Sequence, residues 1–436
     1  MRGHDRRSAA ACPCLAAREM RYTPVRVVEL ELDRPEELRS PGGLGPVVPY
    51  GRVSALVRLH GHPLGLVQAT GAPGDPAGLR RALVAAAHRE LRPVSNPPVA
   101  RREAAPLEAG EAPGISVVVA THNRPESLGR CLDSLLRTGY PRLEVLVVDN
   151  TPGDDEVREL VLTGYPARVR YLREPLPGLA RAHNRGLAAA HGPLVAFTED
   201  AAVVDPGWPW ALAAAFAADP TLGCVTGLVL AAELETAVQA ALEARRQVMG
   251  FTPRRWSLDE PSASPLFPFV GAHFGTGANM AFRAELLRRL GGFDPATGTG
   301  THARGGDDLL AFFRVLVAGA TLAYSPDALV WHHPRRTRDA LPAQAYGSGA
   351  GFGAYLAAAV AHEPTMLPVL LRGAQRGVGQ ALRRSRRSPA PSAALSAPGL
   401  GLGLGVDGAQ LTRLELRGMA YGPLGYLCGA LRCRRG

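Results

Sequence analysis

From Ile115 to Thr198 the chain alternates short, β-branched apolar runs with stretches of helical spacing, and this alternation narrows the possible folds more than any other feature. Ile115-Ser116-Val117-Val118-Val119-Ala120 is almost wholly apolar, as expected of a strand buried on both faces. Pro125 then stands where a proline suits the first turn of a helix, and Glu126 to Leu136 has helical spacing. Leu143 to Asp149 reads as the next strand, Glu156 to Leu162 as a helix and Val169 to Leu172 as a third strand. Leu179 to Ala190 is again helical, and Leu194 to Thr198 is a fourth strand. Such alternation predicts an α/β fold, a mostly parallel twisted sheet with helices on both faces.

In sheets of this kind ligands bind beyond the carboxyl ends of the strands. The first strand is followed by Thr121-His122-Asn123-Arg124, the second ends at Asp149-Asn150, and the fourth ends at Glu199-Asp200. Any one of these could be a helix cap, since Asp and Asn satisfy the free amides of a first turn. Three polar strand ends at one edge favour a binding site over three caps.

The remaining sequence frames this block. Residues 1–19 carry arginines but no apolar core, so they read as disordered or as lying before a true start at Met20, and not as a signal peptide. Residues 20–92 read as a small α+β module. It has a strand at Val25 to Leu32, an apolar stretch at Val53 to Val67 broken by a turn at His60-Gly61-His62-Pro63, and a helix at Ala77 to Leu91. Residues 93–114 are rich in Pro, Ala and charge and read as a linker. The domain of interest is expected over 115–336, with a nucleotide-binding half at 115–205 and an acceptor half at 206–336. A helical extension follows over 337–436, opening on the Gly-rich run Gly347 to Gly353 and interrupted by a flexible stretch at 383–405.

Composition limits the partners. All 49 basic residues are arginine, and the net charge is +10. With lysine absent and Ala, Gly and Pro abundant, coding bias explains this balance better than an anionic partner does. The arginines are scattered and no nucleic-acid module is recognisable, so nucleic-acid binding is not expected. Of six cysteines, Cys12 and Cys14 are too close for a usual zinc pair, and Cys131, Cys224, Cys428 and Cys433 are isolated. That usage suggests a reducing, cytoplasmic setting. No uninterrupted apolar run reaches the roughly 18 residues of a membrane span. The tail Leu414 to Arg435, apolar and arginine-bearing, leaves peripheral contact with the inner face of a membrane open, alongside plain solvent exposure.

Taken in order and spacing, several motifs resemble the inverting family 2 glycosyltransferases of the GT-A type. They are Val118 to Arg124, Leu146 to Asn150, Gly178 to Gly186, Val195 to Asp200, Gly291-Gly292-Phe293-Asp294 and Gly305-Gly306-Asp307-Asp308-Leu309. The resemblance covers about 115–336 and looks closest to an actinobacterial branch with N- and C-terminal extensions. It implies transfer of a sugar from a nucleotide-diphosphate sugar to an acceptor hydroxyl; the acceptor stays open, with a glycan, a lipid-linked molecule and a secondary metabolite among the candidates. By resemblance, Thr121, Asn123, Arg124, Asp149 and Asn150 line the nucleotide pocket. Asn184 hydrogen-bonds the donor, and Arg181 with Arg185, one helical turn apart, meets its diphosphate or is merely solvated.

The family holds Mg²⁺ or Mn²⁺ on an Asp-x-Asp motif, carboxylate oxygens suiting such hard ions. Here the matching residues are Glu199, Asp200 and Ala201, so the last ligand is missing. A divalent cation is therefore expected on Glu199 and Asp200, with His332 or His333 as a substitute ligand if these are not ordinary loop residues. The acidic pair at the start of a helix, Asp307-Asp308, implies the catalytic base: Asp308 takes the acceptor proton and Asp307 supports it. Attack opposite the leaving diphosphate inverts the anomeric centre and needs no protein nucleophile. Ala201 also motivates a second reading, a relative that binds sugar nucleotides or a partner without catalysis.

Overall fold

The computed structural model describes residues 22–91, 110–151, 153–246, 249–385 and 408–433. The expectations for 1–19, for most of the linker and for most of the flexible 383–405 stretch lie outside these residues.

The N-terminal module is a four-stranded sheet of order β2-β1-β3-β4, built from β1 (Val25–Glu31), β2 (Leu38–Arg39), β3 (Gly51–Leu59) and β4 (His62–Gly71). The β3–β4 connection is the expected tight turn: His60 (φ 52°) and Gly61 (φ 80°) both take the left-handed backbone that matches strand twist in a two-residue hairpin. Helix α1 (Pro76–Glu90) starts on Asp75, whose carboxylate accepts the Gly78 amide at 2.7 Å. It buries Leu79 and Leu83 against Val53, Val57 and Val67.

The main sheet follows. Its elements are β5 (Ile115–Thr121), α2 (Pro125–Arg137), β6 (Leu143–Asn150), α3 (Glu156–Gly164), β7 (Val169–Glu174), α4 (Leu179–Ala189), β8 (Leu194–Glu199), β9 (Ala202–Val204), α5 (Trp208–Ala218), β10 (Leu222–Ala231), α6 (Ala237–Arg245), β11 (Arg254–Trp256), β12 (Asn279–Arg283), α7 (Ala284–Arg289), α8 (Asp307–Val317) and β13 (Thr321–His332). The strand order is β11-β13-β10-β12-β8-β5-β6-β7, with β9 on β13. Strands β8, β5, β6 and β7 are mutually parallel, as the strand–helix alternation predicts. Beyond them the sheet is mixed, because β12 enters antiparallel between β8 and β10. β12 arrives from the Gly-rich 271–277 segment and runs against both of its neighbours.

Alternation along β5 splits the core into two layers. Val117 and Val119 pack with Leu128, Val161 and Trp208 from α2, α3 and α5, while Val118 packs with Ala182, Leu187 and Phe312 from α4 and α8. Helices thus cover both faces, the arrangement that buries a parallel sheet.

Among the described residues three α-helices follow: α9 (Ala340–His362), α10 (Leu367–Ser385) and α11 (Gly408–Cys433). The glycine run of the expected helical extension lies within α9, where it forms a helix-packing surface. A side-chain carbon at Gly349 would sit 1.9 Å from the Glu415 carbonyl oxygen, and one at Gly353 would sit 2.2 Å from that of Met419. Backbone therefore meets backbone between α9 and α11. Asp294, from the Gly291 to Asp294 motif, ties both helices down: its Oδ2 pairs with His362 Nε2 at 2.8 Å and accepts the Tyr426 hydroxyl at 3.2 Å.

The N-terminal module is locked to the main sheet through charge. Arg58 donates through Nε to Glu29 at 2.7 Å and through Nη2 to Asp205, all three side chains being about nine-tenths buried. The Gly42 amide also donates to Glu29, at 2.7 Å.

Candidate functional site

Register places the polar strand ends together. Thr121 pairs with Asp149 across β5–β6, and Ala120 with Glu199 across β5–β8, so all three strands finish at one edge. Asp149 is fully buried there. Its Oδ2 accepts the Tyr171 hydroxyl at 2.9 Å, while Oδ1 is buried with no partner. Burial raises its pKa, and the Tyr171 hydrogen bond offsets only part of that rise. Asn150 has a scaffolding role: its Oδ1 accepts the Gly178 amide at 3.1 Å and its Nδ2 donates to the Leu176 carbonyl at 2.7 Å. Asn123 holds a left-handed backbone (φ 51°), and its Oδ1 accepts the Gly153 amide at 3.4 Å.

Asp200 is turned inward. Thr121 Oγ1 donates to it at 2.8 Å and Arg124 Nη1 at 3.3 Å. Burial lifts its pKa, against the pull of Arg124 and Thr121.

Beside this edge opens a cavity of about 850 Å³. Arg124, Glu199, Ala201 and His332 line one wall, with Arg246, Arg304 and Arg335 adding positive charge. Glu199 Oε2 lies 3.3 Å from His332 Nε2. Burial would raise the Glu199 pKa, but His332, Arg124 and His183 together bring it below the usual range. Arg246 donates to Glu243 at 2.7 Å through Nη2 and leaves Nε buried and unpartnered. The Arg304 guanidinium sits 5.1 Å over the Tyr346 ring, on a left-handed backbone (φ 63°). The far wall comes from α9 and α11, through Gln344, Ser348 and Tyr421. These residues lie beyond the expected 115–336 domain, and no motif marks them. Arg246, Arg304 and Arg335 were equally hidden among the chain's other arginines.

The acidic pair opens α8, directly after Gly306 (φ 87°). Asp308 is half-buried; its Oδ2 accepts the Gly277 amide at 2.8 Å and its Oδ1 accepts the Leu309 amide at 2.8 Å. Burial, and then the like charge of Asp307, push its pKa up to about 6. It does not line the cavity itself, but lies behind Gly277, whose neighbours Thr276 and Ala278 do. Asp307 is buried, with Oδ2 3.4 Å from His183 Nδ1 and neither atom in an aligned hydrogen bond.

Two residues expected at the donor are engaged elsewhere. Asn184 spends both ends of its amide on the backbone of Phe293, accepting its N–H at 2.8 Å and donating to its carbonyl at 2.7 Å, and so staples the 291–294 loop. Arg181 points to α11, donating to Cys433 Sγ at 3.3 Å. Because α4 packs under that loop and that helix, its polar face is spent on holding them.

The donor set for a cation is thin. Ala201 offers only its carbonyl, which accepts the His333 amide at 2.9 Å, and Asp200 faces Thr121 and Arg124. Among the described residues no three His, Cys, Asp or Glu side chains converge. Glu199 and His332, facing each other at the cavity wall, remain as one oxygen and one nitrogen donor, a pair that fits Mn²⁺ better than Mg²⁺ and only if a ligand supplies the remaining oxygens.

Residues 113–346 match the family model described as glycosyltransferase-like family 2. Among curated proteins, the pre-mycofactocin glycosyltransferase of Mycobacterium tuberculosis is 28% identical over 267 residues, 59% of this chain and 50% of that protein. The chain thus spans about half the length of this relative. The succinoglycan biosynthesis protein ExoM of Rhizobium meliloti is 29% identical over 228 residues, 50% of this chain and 66% of that protein. Among solved structures, the mannosyltransferase PcManGT from Pyrobaculum calidifontis, in complex with GDP-Man and Mn²⁺, aligns with a TM-score of 0.42 and 23% identity. That alignment covers 76% of this chain and 89% of that one.

Proposed function

The chain belongs to glycosyltransferase-like family 2, and on that premise we propose that it transfers a sugar from a nucleotide-diphosphate sugar to an acceptor hydroxyl with inversion. The observation that carries this reading is the cavity of about 850 Å³ at the carboxyl edge of the parallel strands, with arginines on its walls and behind Gly277 an acidic pair, Asp307 buried and Asp308 half-buried.

Each part of the reaction has a residue suited to it. The unpartnered oxygen of Asp149 accepts an N–H of the base or a ribose hydroxyl; an orphaned buried acceptor is costly until such a donor arrives. The leaving diphosphate carries growing negative charge, which Arg124 and the free Nε of Arg246 meet with charge-assisted hydrogen bonds. Glu199 and His332 are the residues that would hold a divalent cation, which would supply further neutralisation of the diphosphate. Asp308 removes the acceptor proton. Two backbone amides fix its orientation, and a pKa of about 6 leaves it ionised at neutral pH yet basic enough to take a proton. Gly277, which carries no side chain, is what separates Asp308 from the cavity wall at Thr276 and Ala278.

A glycan acceptor accords with the relative named for succinoglycan biosynthesis. A second reading, donor binding without catalysis, is favoured by Ala201 and by the inward turn of Asp200. Incubating the protein with UDP-, dTDP- and GDP-sugars, with and without Mn²⁺, separates the two. Turnover that disappears in Asp308→Asn while donor binding survives supports transfer, whereas binding without turnover in the unmodified protein supports the second reading.

A further inference from the structure

Helix α11 is packed with its glycines inward and its leucines outward. A side-chain carbon at Gly418 would lie 2.2 Å from the Tyr346 carbonyl oxygen, at Gly422 2.4 Å from that of Ala350, and at Gly429 2.7 Å from that of Ala296. On the opposite side Leu416, Leu424, Leu427 and Leu431 are 58%, 61%, 56% and 56% exposed. At 100° per residue these four fall within an arc of about 80°, along about 22 Å of helix. Single exposed leucines are ordinary, but a continuous stripe marks a surface that something covers. No described residue covers it.

We propose that this stripe docks on an anionic membrane surface. Charge decides the occupant. The exposed arginines Arg413, Arg417 and Arg432 border the leucines, and Arg434 and Arg435 follow in the sequence. The helix has one acid, Glu415, and it is paired with Arg245 at 2.7 Å. A second copy of the chain docking stripe to stripe about a two-fold axis would bring these arginines toward one another. Anionic headgroups attract them instead, while the leucines enter the headgroup boundary. Small residues toward the neighbouring helix and leucines away from it is also the pattern of helices that meet lipid. Tyr421 on the same helix lines the cavity, so docking holds the cavity beside the membrane. If the reading as a transferase holds, a lipid-carried acceptor would arrive there, but docking itself does not depend on that reading.

The test is co-sedimentation of the full chain with phosphatidylcholine vesicles, with and without phosphatidylglycerol, alongside Leu424→Gln/Leu427→Gln and Arg413→Gln/Arg417→Gln. Light scattering and melting curves would establish oligomeric state and folding. The unmodified protein should bind phosphatidylglycerol vesicles. The leucine variant should melt unchanged and lose at least about tenfold in partition coefficient, the effect of withdrawing two partly inserted leucines. The arginine variant should bind more weakly, with a flatter salt dependence. The proposal is overturned if the unmodified protein stays in the supernatant with every vesicle, or if the leucine variant binds as well as the unmodified protein. A dimer that the leucine substitutions dissolve, without vesicle binding, would equally overturn it in favour of a second copy.

Discussion

The Gly277 amide donates to Asp308 Oδ2 at 2.8 Å, joining the Gly-rich segment before β12 to the first turn of α8. This bond aims the carboxylate that we assign as the base. Asp308→Asn should lower kcat by about 10²–10⁴-fold, the usual worth of a general base, with donor affinity kept within about twofold. Steady-state kinetics with titration calorimetry checks this; retained turnover removes Asp308 from the reaction.

The pH profile follows from the same group. Burial and Asp307 raise the Asp308 pKa to about 6, so the competent, ionised form is lost as pH falls through that value. The kcat/KM should therefore drop tenfold per pH unit below about 6 and level off above it. A profile flat from pH 5 to 8 would contradict the assignment.

Asp149 tests the nucleotide edge. Removing a charged hydrogen-bond acceptor costs about 1.5–3 kcal/mol, so Asp149→Ala should weaken nucleotide-sugar binding by at least about tenfold. Tyr171→Phe leaves a second carboxylate oxygen buried and unpartnered, and should lower the melting temperature at neutral pH by an amount equivalent to about 1–3 kcal/mol. Unchanged affinity in Asp149→Ala would reduce the residue to a structural role.

The acidic motif can be repaired. Ala201→Asp adds a carboxylate as a third donor beside Glu199 and His332, and Mn²⁺-dependent turnover should rise by an order of magnitude or more if the cavity works through a cation. Titrating Mn²⁺ against both proteins measures it. No gain would mean that the arginines carry the charge of the leaving group.

The buried ion triad makes the N-terminal module inseparable from the sheet. Arg58→Met strands Glu29 and Asp205 without a counter-charge, and breaking a buried pair in this way costs about 3–5 kcal/mol. Thermal unfolding should shift down accordingly, and limited proteolysis should release the module. A variant as stable as the parent would show that the triad only breaks even.

The place of the acidic pair at a helix start was implied by the family resemblance, whereas the α/β class, the parallel run from β5 to β8 and the His60-Gly61 turn were legible in the residues themselves. Each is set by a period or a backbone preference acting over a few positions: Val117 and Val119 must face the layer opposite Val118, and Pro125 must stand in a first turn. What tertiary structure alone decided is which side chains meet. Asn184 and Arg181 sit on the expected helix, yet packing under the 291–294 loop and against α11 spends their polar atoms there. The antiparallel entry of β12, the placing of Asp308 behind Gly277, and the closing of the cavity by Gln344, Ser348 and Tyr421 join segments far apart in the chain. Local pattern specifies the elements, but the convergence of distant ones depends on how whole surfaces pack, and no short stretch of sequence carries that information.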